Sequence, residues 1–447
     1  MQNRKKPFDT YSNGFFSIHK IMTVSIYEHY CKAYKVTTDS RDVAPDAVFF
    51  ALKGERFDGN DFALEVAEKG IASLVVADRQ SLPDHPRIVK VNDTLQAMQE
   101  LAKHHRLQMK QLKVLSITGT NGKTTTKELV SAVLSQRYNI IYTQGNYNNH
   151  LGVPLTLLRI TPETEFAVVE MGANHPGEIK TLANIACPDY GIITNIGKAH
   201  LEGFGSFEGV IKTKNELYDY LKAHQKAAFV NGDNPLLMSL IGDMSHITYG
   251  KEAVMDCQVL PDCCDPYLSV SWKAHRIATH LVGSYNFENV AAAIAVGQYF
   301  GVDEAVIRQA LESYQPTNSR SQVIEGKNRI IMDAYNANPT SMSASVSNFS
   351  GICGDNAMLV LGDMRELGDA SEKEHRTILQ LIAQSGFHQV FLVGPCFCQF
   401  NDNPAYHTFP TVEDLIAYLE QHPVTGRTIL VKGSRGIRLE KVLPVIQ

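Results

Sequence analysis

Short apolar runs alternate along this chain with longer segments whose apolar positions recur at helical spacing. Before about residue 110 the runs 47–52, 72–77 and 87–91 read as strands, and 94–105 reads as a helix. From 112 to 312 the strand candidates are 112–117, 166–169, 190–194 and 227–230. Helices are expected at 127–134, 177–186, 207–223 and 289–300, and 251–281 has the alternation of an antiparallel appendage. Beyond Pro316 a second series begins, with strands at 329–333, 357–361, 389–393 and 428–431 and helices at 372–385 and 412–422. Strand–helix alternation of this kind predicts an α/β protein with mostly parallel sheets covered by helices. Three regions follow, at 22–110, 111–314 and 315–447. The polar junction Gln315-Pro-Thr-Asn-Ser319 before the last series is a candidate hinge.

The most informative chemistry follows the 112–117 run. Gly119-Thr120-Asn121-Gly122-Lys123-Thr124-Thr125 leads directly into a helical segment. Glycines there let backbone N–H groups crowd around phosphate oxygens, and a helix N-terminus adds partial positive charge. Lys123 is placed for the terminal phosphates and the Thr124 hydroxyl for Mg²⁺. Gly119 stands closer to Gly122 than the common G-x-x-x-x-G-K-[ST] pattern requires, yet Gly-Lys-Thr between strand and helix still predicts an ATP or GTP site.

Composition narrows the classes without adding chemistry. A length of 447 residues and a hydrophobic content of 44% suffice for several cores. The net charge of -5 gives no electrostatic reason to expect nucleic acid. No apolar run reaches the ~18 residues of a membrane span. The start Met1-Gln-Asn-Arg-Lys-Lys-Pro7 lacks the apolar core of a signal peptide, and Met22 is an alternative start that would make 1–21 an extension. The eight cysteines are scattered with no Cys-x-x-Cys pair, as expected of reduced thiols.

Ligands in such sheets bind beyond the carboxyl ends of the strands. Phe166-Ala-Val-Val-Glu170 brings a carboxylate to one such end, and His200 emerges beyond the 190–194 strand. Together with Thr124 they point to a pair of Mg²⁺ ions on a triphosphate; singly, Glu170 reads equally as a solvated loop acid and His200 as a polar core group. In the first region, Ser40-Arg41 and Lys53-Gly54 put a hydroxyl, two cations and a turn within reach of an anionic ligand, or are merely solvated surface.

Several motifs in order resemble the Mur ligases, cytoplasmic ATP-dependent amide ligases of peptidoglycan synthesis. They are Gly119-Thr-Asn-Gly-Lys-Thr-Thr125, Asn148-Asn149-x-x-Gly152-x-Pro154, Glu170-Met-Gly-Ala173 with Gly177-Glu-Ile179, and His200-Leu-Glu-Gly-Phe-Gly-Ser206. Asp333-Ala-Tyr-Asn-Ala-Asn-Pro339, Leu361-Gly-Asp-Met-Arg-Glu-Leu-Gly368 and Lys432-Gly-Ser-Arg435 are closest to the members that add D-alanyl-D-alanine to UDP-N-acetylmuramoyl-tripeptide. The Asp-Asn-Pro-Arg motif of the diaminopimelate-adding members is absent.

The resemblance implies a UDP-sugar-binding domain at 22–110, a central ATPase at 111–314 and a Rossmann-like domain at 315–447, in a monomer. Ser40, Arg41, Lys53 and Gly54 would contact the UDP-sugar. Asn286, Asn289 and Asn336 would meet the nucleoside, with Tyr285 standing where the family often has histidine, and Arg320 would reach the phosphates. The family also implies that Lys214 is carbamylated and joins Thr124, Glu170 and His200 as a Mg²⁺ ligand, the catalytic set being Lys123, Lys214, His200 and Glu170. Only a neutral amine adds CO₂, so the site must depress this lysine's pKa; the bland alternative is an exposed helix lysine like Lys212. The rival functions are another Mur or folylpolyglutamate-type ligase, and a non-catalytic nucleotide-binding homologue.

Overall fold

Parallel strands covered on both faces need apolar side chains on both, which is why the continuous apolar runs become the strands. The computed structural model describes residues 23–316, 320–354 and 356–447. The 1–21 extension, Met22 and residues 317–319 of the junction lie outside them. The described residues form two compact units, one of 23–114, 139–169 and 181–187, the other of 115–138, 170–180, 188–316, 320–354 and 356–447.

In the first unit, Val36–Thr37, Val48–Phe50, Leu74–Ala77 and Ile88–Lys90 form a four-stranded, wholly parallel sheet. Phe49, Ala51, Val75 and Ala77 pack against Ala63, Val66 and Ala67 of the helix Ala63–Lys69. That helix stops at Gly70 in the left-handed region, φ 71°. Asp93 caps the helix Thr94–Gln108 by accepting from the Gln96 N–H. His105 on that helix is buried and bonded to the Ile160 carbonyl at 2.9 Å.

In the second unit the strands Cys257–Gln258, His246–Gly250, Ala227–Asn231, Tyr190–Ile193 and residues 115–118 of the strand Lys113–Thr118 lie side by side in that order, all parallel. The helix Phe287–Tyr299 can approach the helix Lys123–Leu134 closely because it is built of small residues. A Cβ on Gly297 would come within 2.6 Å of Val133 Cγ1. The antiparallel appendage is real but shorter than expected. It comprises Leu260–Cys264, Tyr267–Trp272 and His275–Val282, whereas Cys257–Gln258 pairs parallel with Tyr249 and Gly250 as the edge of the main sheet.

The C-terminal sheet has the order Gln322–Glu325, Arg329–Met332, Thr428–Lys432, Ala357–Gly362, Gln389–Val393, His407–Phe409. Only its first pairing is antiparallel. The last strand in sequence inserts between the first two parallel ones, so the loops at 333–338, 433–436 and 363–368 are neighbours at their carboxyl ends. The helices Pro339–Ile352 and Ser371–Gln384 cover one face through Met342, Val346, Ile378 and Ile382. Val412–Gln421 covers the other through Leu415 and Leu419. The expected α/β class with mostly parallel sheets is therefore what the chain adopts.

Asp363 locks the end of the Ala357–Gly362 strand. Its carboxylate accepts the backbone N–H groups of Cys396 and Phe397 at 2.8 and 2.9 Å, satisfying the start of the short helix Pro395–Phe400. His375 and Cys396 lie close by, but the grouping is structural rather than metal-binding. His375 Nε2 accepts from the Met364 N–H at 3.1 Å while Nδ1 meets the Ser371 carbonyl at 2.8 Å, so neither nitrogen is left for an ion. Gly394, at φ 122°, leaves the Asp363 carboxylate its space, since a Cβ there would sit 2.3 Å from Asp363 Cγ. Gly394→Ala is expected to destabilise this region by about 2 kcal/mol or more, read as a lowered urea midpoint; an unchanged midpoint would contradict the packing.

Candidate nucleotide and metal site

The Lys113–Thr118 strand hands over to the phosphate loop through two glycines that no other residue could replace without movement. Gly119 has φ 144° and Gly122 has φ 79°. Added Cβ atoms would come within 2.0 Å of Thr194 Oγ1 and 2.4 Å of Asn289 Oδ1. Those neighbours strap the loop. Thr194 Oγ1 donates to the Asn121 carbonyl at 2.6 Å, and the Asn121 N–H donates to Asn195 Oδ1 at 3.0 Å. Thr120 Oγ1 accepts from the Gly197 N–H at 2.9 Å. Below the loop, Thr126 Oγ1 donates to Asn289 Oδ1 at 3.0 Å, Asn289 Nδ2 to Asn286 Oδ1 at 2.8 Å, and Asn286 Nδ2 to the Val282 carbonyl at 2.8 Å. Asn286 and Asn289 are thus buried and brace the loop from beneath.

Lys123 opens the helix. Its ammonium donates to the Gly119 and Thr120 carbonyls, both at 2.9 Å, and burial holds its pKa below the ordinary lysine value. Glu170 opposes that lowering, while Arg320 adds to it. Thr124 Oγ1 donates to Glu170 Oε2 at 2.9 Å, and both residues are buried. Glu170 is therefore no solvated loop acid. Two hard oxygen donors at the end of the phosphate loop are the ligand type Mg²⁺ takes.

Lys214 lies on the helix Phe207–Ala223, whose N-cap Ser206 accepts from the Gly209 N–H. Lys212 is exposed and Lys214 is buried, which separates the two readings of that lysine. Burial first, and Lys123 second, push the Lys214 pKa down to about 7. Its ammonium lies 5.5 Å from the Phe204 ring centroid. Glu178 and Glu216 pull the other way, but their carboxylates are engaged by backbone N–H groups of Asn174 and His175, and of Gly177 and Lys180.

His200 is in the left-handed region, φ 49°, at the head of a short turn. Its Nδ1 pairs with Glu366 of the C-terminal segment, and its ring stands edge-on to Phe204. Other C-terminal side chains reach the same strand-end loop. Lys198 Nζ donates to the buried Glu374 at 2.8 Å, and the Lys198 N–H to Thr340 Oγ1 at 3.1 Å. Asn338 Nδ2 donates to Asn121 Oδ1 of the phosphate loop at 2.8 Å. Asn336, singled out from sequence, is exposed on the same loop as Asn338. Arg320 stacks on Tyr335, its guanidinium carbon 3.6 Å from the ring centroid. Thr125 is half-buried on the first helical turn. Asn338, Glu366 and Glu374 were not expected; Asn338 and Glu366 sit within the motifs quoted above, and Asn338 lies two residues from Asn336.

In the first unit, the loops carrying Ser40-Arg41 and Lys53-Gly54 follow the carboxyl ends of two adjacent parallel strands. Arg41 is exposed and held by Asp39 through bonds of 2.9 and 2.6 Å, which lower Asp39 to about 2. Lys53 is exposed, and the Gly54 N–H donates to the Phe57 carbonyl at 2.9 Å.

Three family models match this chain: Mur ligase family, catalytic domain, over 32–106; Mur ligase middle domain over 117–297; and Mur ligase, glutamate ligase domain, over 319–435. The chain belongs to the Mur ligase family. Among its relatives, UDP-N-acetylmuramoyl-tripeptide–D-alanyl-D-alanine ligase of Bacillus subtilis is 37% identical over 425 residues, 91% of this chain and 92% of that protein. A crystal structure of MurF from Acinetobacter baumannii superposes with a TM-score of 0.82 at 30% identity, covering 92% of each chain. MurF ligase from Thermotoga maritima in complex with ADP gives 0.81 at 27% identity, covering 92% of this chain and 96% of that one. The three-domain Mur ligase fold is shared along nearly the whole length. In this Mur ligase, Gly122→Ala forces a Cβ onto Asn289 and strains a left-handed residue. ADP affinity measured by calorimetry should fall about tenfold or more, the equivalent of roughly 1.4 kcal/mol; unaltered affinity would mean that the loop is not held as described.

Proposed function

We propose that this Mur ligase joins the amine of D-alanyl-D-alanine to the terminal carboxylate of UDP-N-acetylmuramoyl-tripeptide, consuming ATP and releasing ADP and phosphate. The observation that carries this reading is the buried meeting of Thr124 and Glu170 beside Lys123 and Lys214 at the mouth of a phosphate loop. The work is cytoplasmic peptidoglycan precursor synthesis by a monomer. Among the described residues, no helix is long and apolar enough to cross a membrane. Residues 22–110 form the UDP-sugar domain, with Ser40, Arg41, Lys53 and Gly54 at its ligand, 111–314 the ATP-binding domain and 315–447 the C-terminal domain.

A carboxylate does not react with an amine at neutral pH because its oxygen is a poor leaving group. In the first step a carboxylate oxygen attacks the γ-phosphorus of ATP, and the bond from that phosphorus to the bridging oxygen breaks to release ADP. The amine nitrogen then attacks the acyl carbon through a tetrahedral intermediate. The carbon–oxygen bond to phosphate breaks, and the amine's proton passes to solvent. Lys123 offsets the repulsion between the two anions and stabilises charge as it moves to the bridging oxygen. The fixed N–H groups at the start of the Lys123–Leu134 helix hold the phosphates in line. Asn338, Glu366 and Glu374 keep the C-terminal loops against the site and limit water that would hydrolyse the acyl phosphate.

Thr124, Glu170, His200 and a carbamylated Lys214 would hold Mg²⁺, which supplies charge neutralisation between nucleotide and carboxylate. Lys214 suits CO₂ because it is an ammonium below about 7 and a neutral amine above it. The intact set of Lys123, Thr124, Glu170, His200 and Lys214 disfavours a non-catalytic homologue. The Asp333–Pro339 run disfavours a folylpolyglutamate-type activity.

Coupled ADP release with UDP-N-acetylmuramoyl-tripeptide and D-alanyl-D-alanine tests the activity. Lys123→Ala should lower the rate by about 10²–10³, and turnover only with single amino acids as acceptors would replace this reading with another ligase. Protein incubated with ¹³C-bicarbonate above pH 7 should show a carbamate carbon resonance that Lys214→Arg lacks and that fades as pH falls below 7. A spectrum without it would remove the carbamate from the site.

A further inference from the structure

The polar junction is bracketed by two residues tied to the nucleotide-binding elements. Before it, the Tyr314 hydroxyl donates to Glu128, which lies on the helix Lys123–Leu134. Beyond it, Ser321 has φ 49°, in the left-handed region that a serine rarely occupies. A residue stays there only where its surroundings over-determine it. Ser321 is buried and bonded on two sides. Its Oγ meets the Tyr285 hydroxyl at 3.1 Å and accepts from Asn286 Nδ2 at 3.4 Å. Its N–H donates to Asp333 Oδ1 at 3.3 Å. Asp333 also accepts from Ser345 Oγ at 3.0 Å and pairs with the buried Lys432.

These bonds close a ring. From the phosphate loop it runs through Thr126, Asn289 and Asn286 to Ser321. It continues through Asp333 into the loop 333–338 and returns from Asn338 to Asn121. Within one residue, the Ser321 hydroxyl faces the nucleotide-binding elements and the amide faces the C-terminal sheet. Burial and the neighbouring Asp333 push the Tyr285 pKa above its ordinary value, so the phenol keeps its proton for the Ser321 bond. A glycine would hold φ 49° without steric cost. It would also take from Tyr285 and Asn286 the oxygen they share, and a buried polar group that loses its partner is costly. The serine is thus explained by its hydroxyl rather than by its backbone.

Resting on the function proposed above for its rate readout, we infer that Ser321 is a positioning residue. Held by Tyr285 and Asn286 on one side and by Asp333 on the other, it sets the loop 333–338 in register with the phosphate loop. Its part in the reaction is geometric, since displacing one reacting group by about 1 Å can cost about 10²-fold in rate. Nucleotide binding is left to Lys123, the glycine turn and the Thr126–Asn289 bond, none of which uses Ser321. Loss of the Ser321 hydroxyl therefore slows transfer without weakening the hold on the nucleotide.

The test sets Ser321→Ala and Tyr285→Phe against Tyr314→Phe, which removes a hydroxyl bond at the other end of the junction and spares Ser321. In the full chain with ATP, UDP-tripeptide and D-alanyl-D-alanine, the first two should each lower kcat about 10-fold or more. They should leave the KM for ATP and the calorimetric Kd for ADP within about twofold, as should Tyr314→Phe, which also keeps kcat in that range. Combined, Ser321→Ala and Tyr285→Phe should lose no more than the greater single loss, because they break one bond. Ser321→Gly, free of backbone strain, should lose as much as Ser321→Ala. Unchanged kcat in Ser321→Ala and Tyr285→Phe, additive losses, a wild-type rate in Ser321→Gly, an equal loss in Tyr314→Phe, or a parallel loss of ADP affinity overturns the inference. A wild type that binds ADP but forms no amide removes the proposed function alone. Hydrogen exchange at 333–338 in the ADP complex then decides: faster exchange in Ser321→Ala and Tyr285→Phe than in Tyr314→Phe supports the role of Ser321, and equal exchange overturns it.

Discussion

Positive charge gathered in a buried place, with too little negative charge to balance it, is the constraint on which this site depends. Lys123 and Lys214 each have a depressed pKa, chiefly through burial, and Lys123 depresses Lys214 further. Glu170 is the buried acid at the loop, and it already accepts the Thr124 hydroxyl. Attraction between unit charges grows as water is excluded, so such a pocket gains more from an incoming phosphate or carboxylate than a surface lysine pair would. The same imbalance makes Lys214 an available amine, because keeping a second ammonium there is costly. A pocket that favours an incoming triphosphate and a lysine held below its ordinary pKa are two consequences of one arrangement.

Charge alone would not suffice if the donors had to move during reaction. Each group around the phosphate loop is held by another. Gly119 and Gly122 let the backbone pass within contact of Thr194 and Asn289, and those side chains return hydrogen bonds to Asn121 and Thr126. A donor already fixed costs no reorganisation when charge develops on the oxygen it faces. This explains why Asn286 and Asn289 are buried rather than displayed. Polar residues next to a nucleotide loop serve two purposes, contact and support, and only packing distinguishes them.

Much of the fold was legible because parallel strands carry continuous apolar runs. The strands at Gln389–Val393 and Ala227–Asn231 and the helix Phe207–Ala223 fall where periodicity put them. Other elements carried no such signal. The helix Pro339–Ile352 is serine-rich and was not expected; it starts where Asn338 and Ser341 make a capping box with Pro339 in the first turn. The edge strands Gln322–Glu325 and His407–Phe409 are short and partly exposed, so alternation had little length in which to show. In the site, residues defined by local chemistry were visible: a glycine turn before lysine, or an acid ending an apolar strand. Asn338, Glu366 and Glu374 were not, because their roles arise from contacts between segments far apart in sequence.

Those long-range contacts bear on how the activity is distributed along the chain. The C-terminal segment has no phosphate loop, yet three of its side chains hold the loop and strand end that carry Asn121, Lys198 and His200. Two parallel sheets contribute the carboxyl ends of their strands to this zone, one bringing the triphosphate machinery and the other a cluster of guanidiniums. The nucleotide-binding segment therefore does not stand alone: its phosphate loop and the strand end carrying Lys198 and His200 are held by side chains of the C-terminal segment.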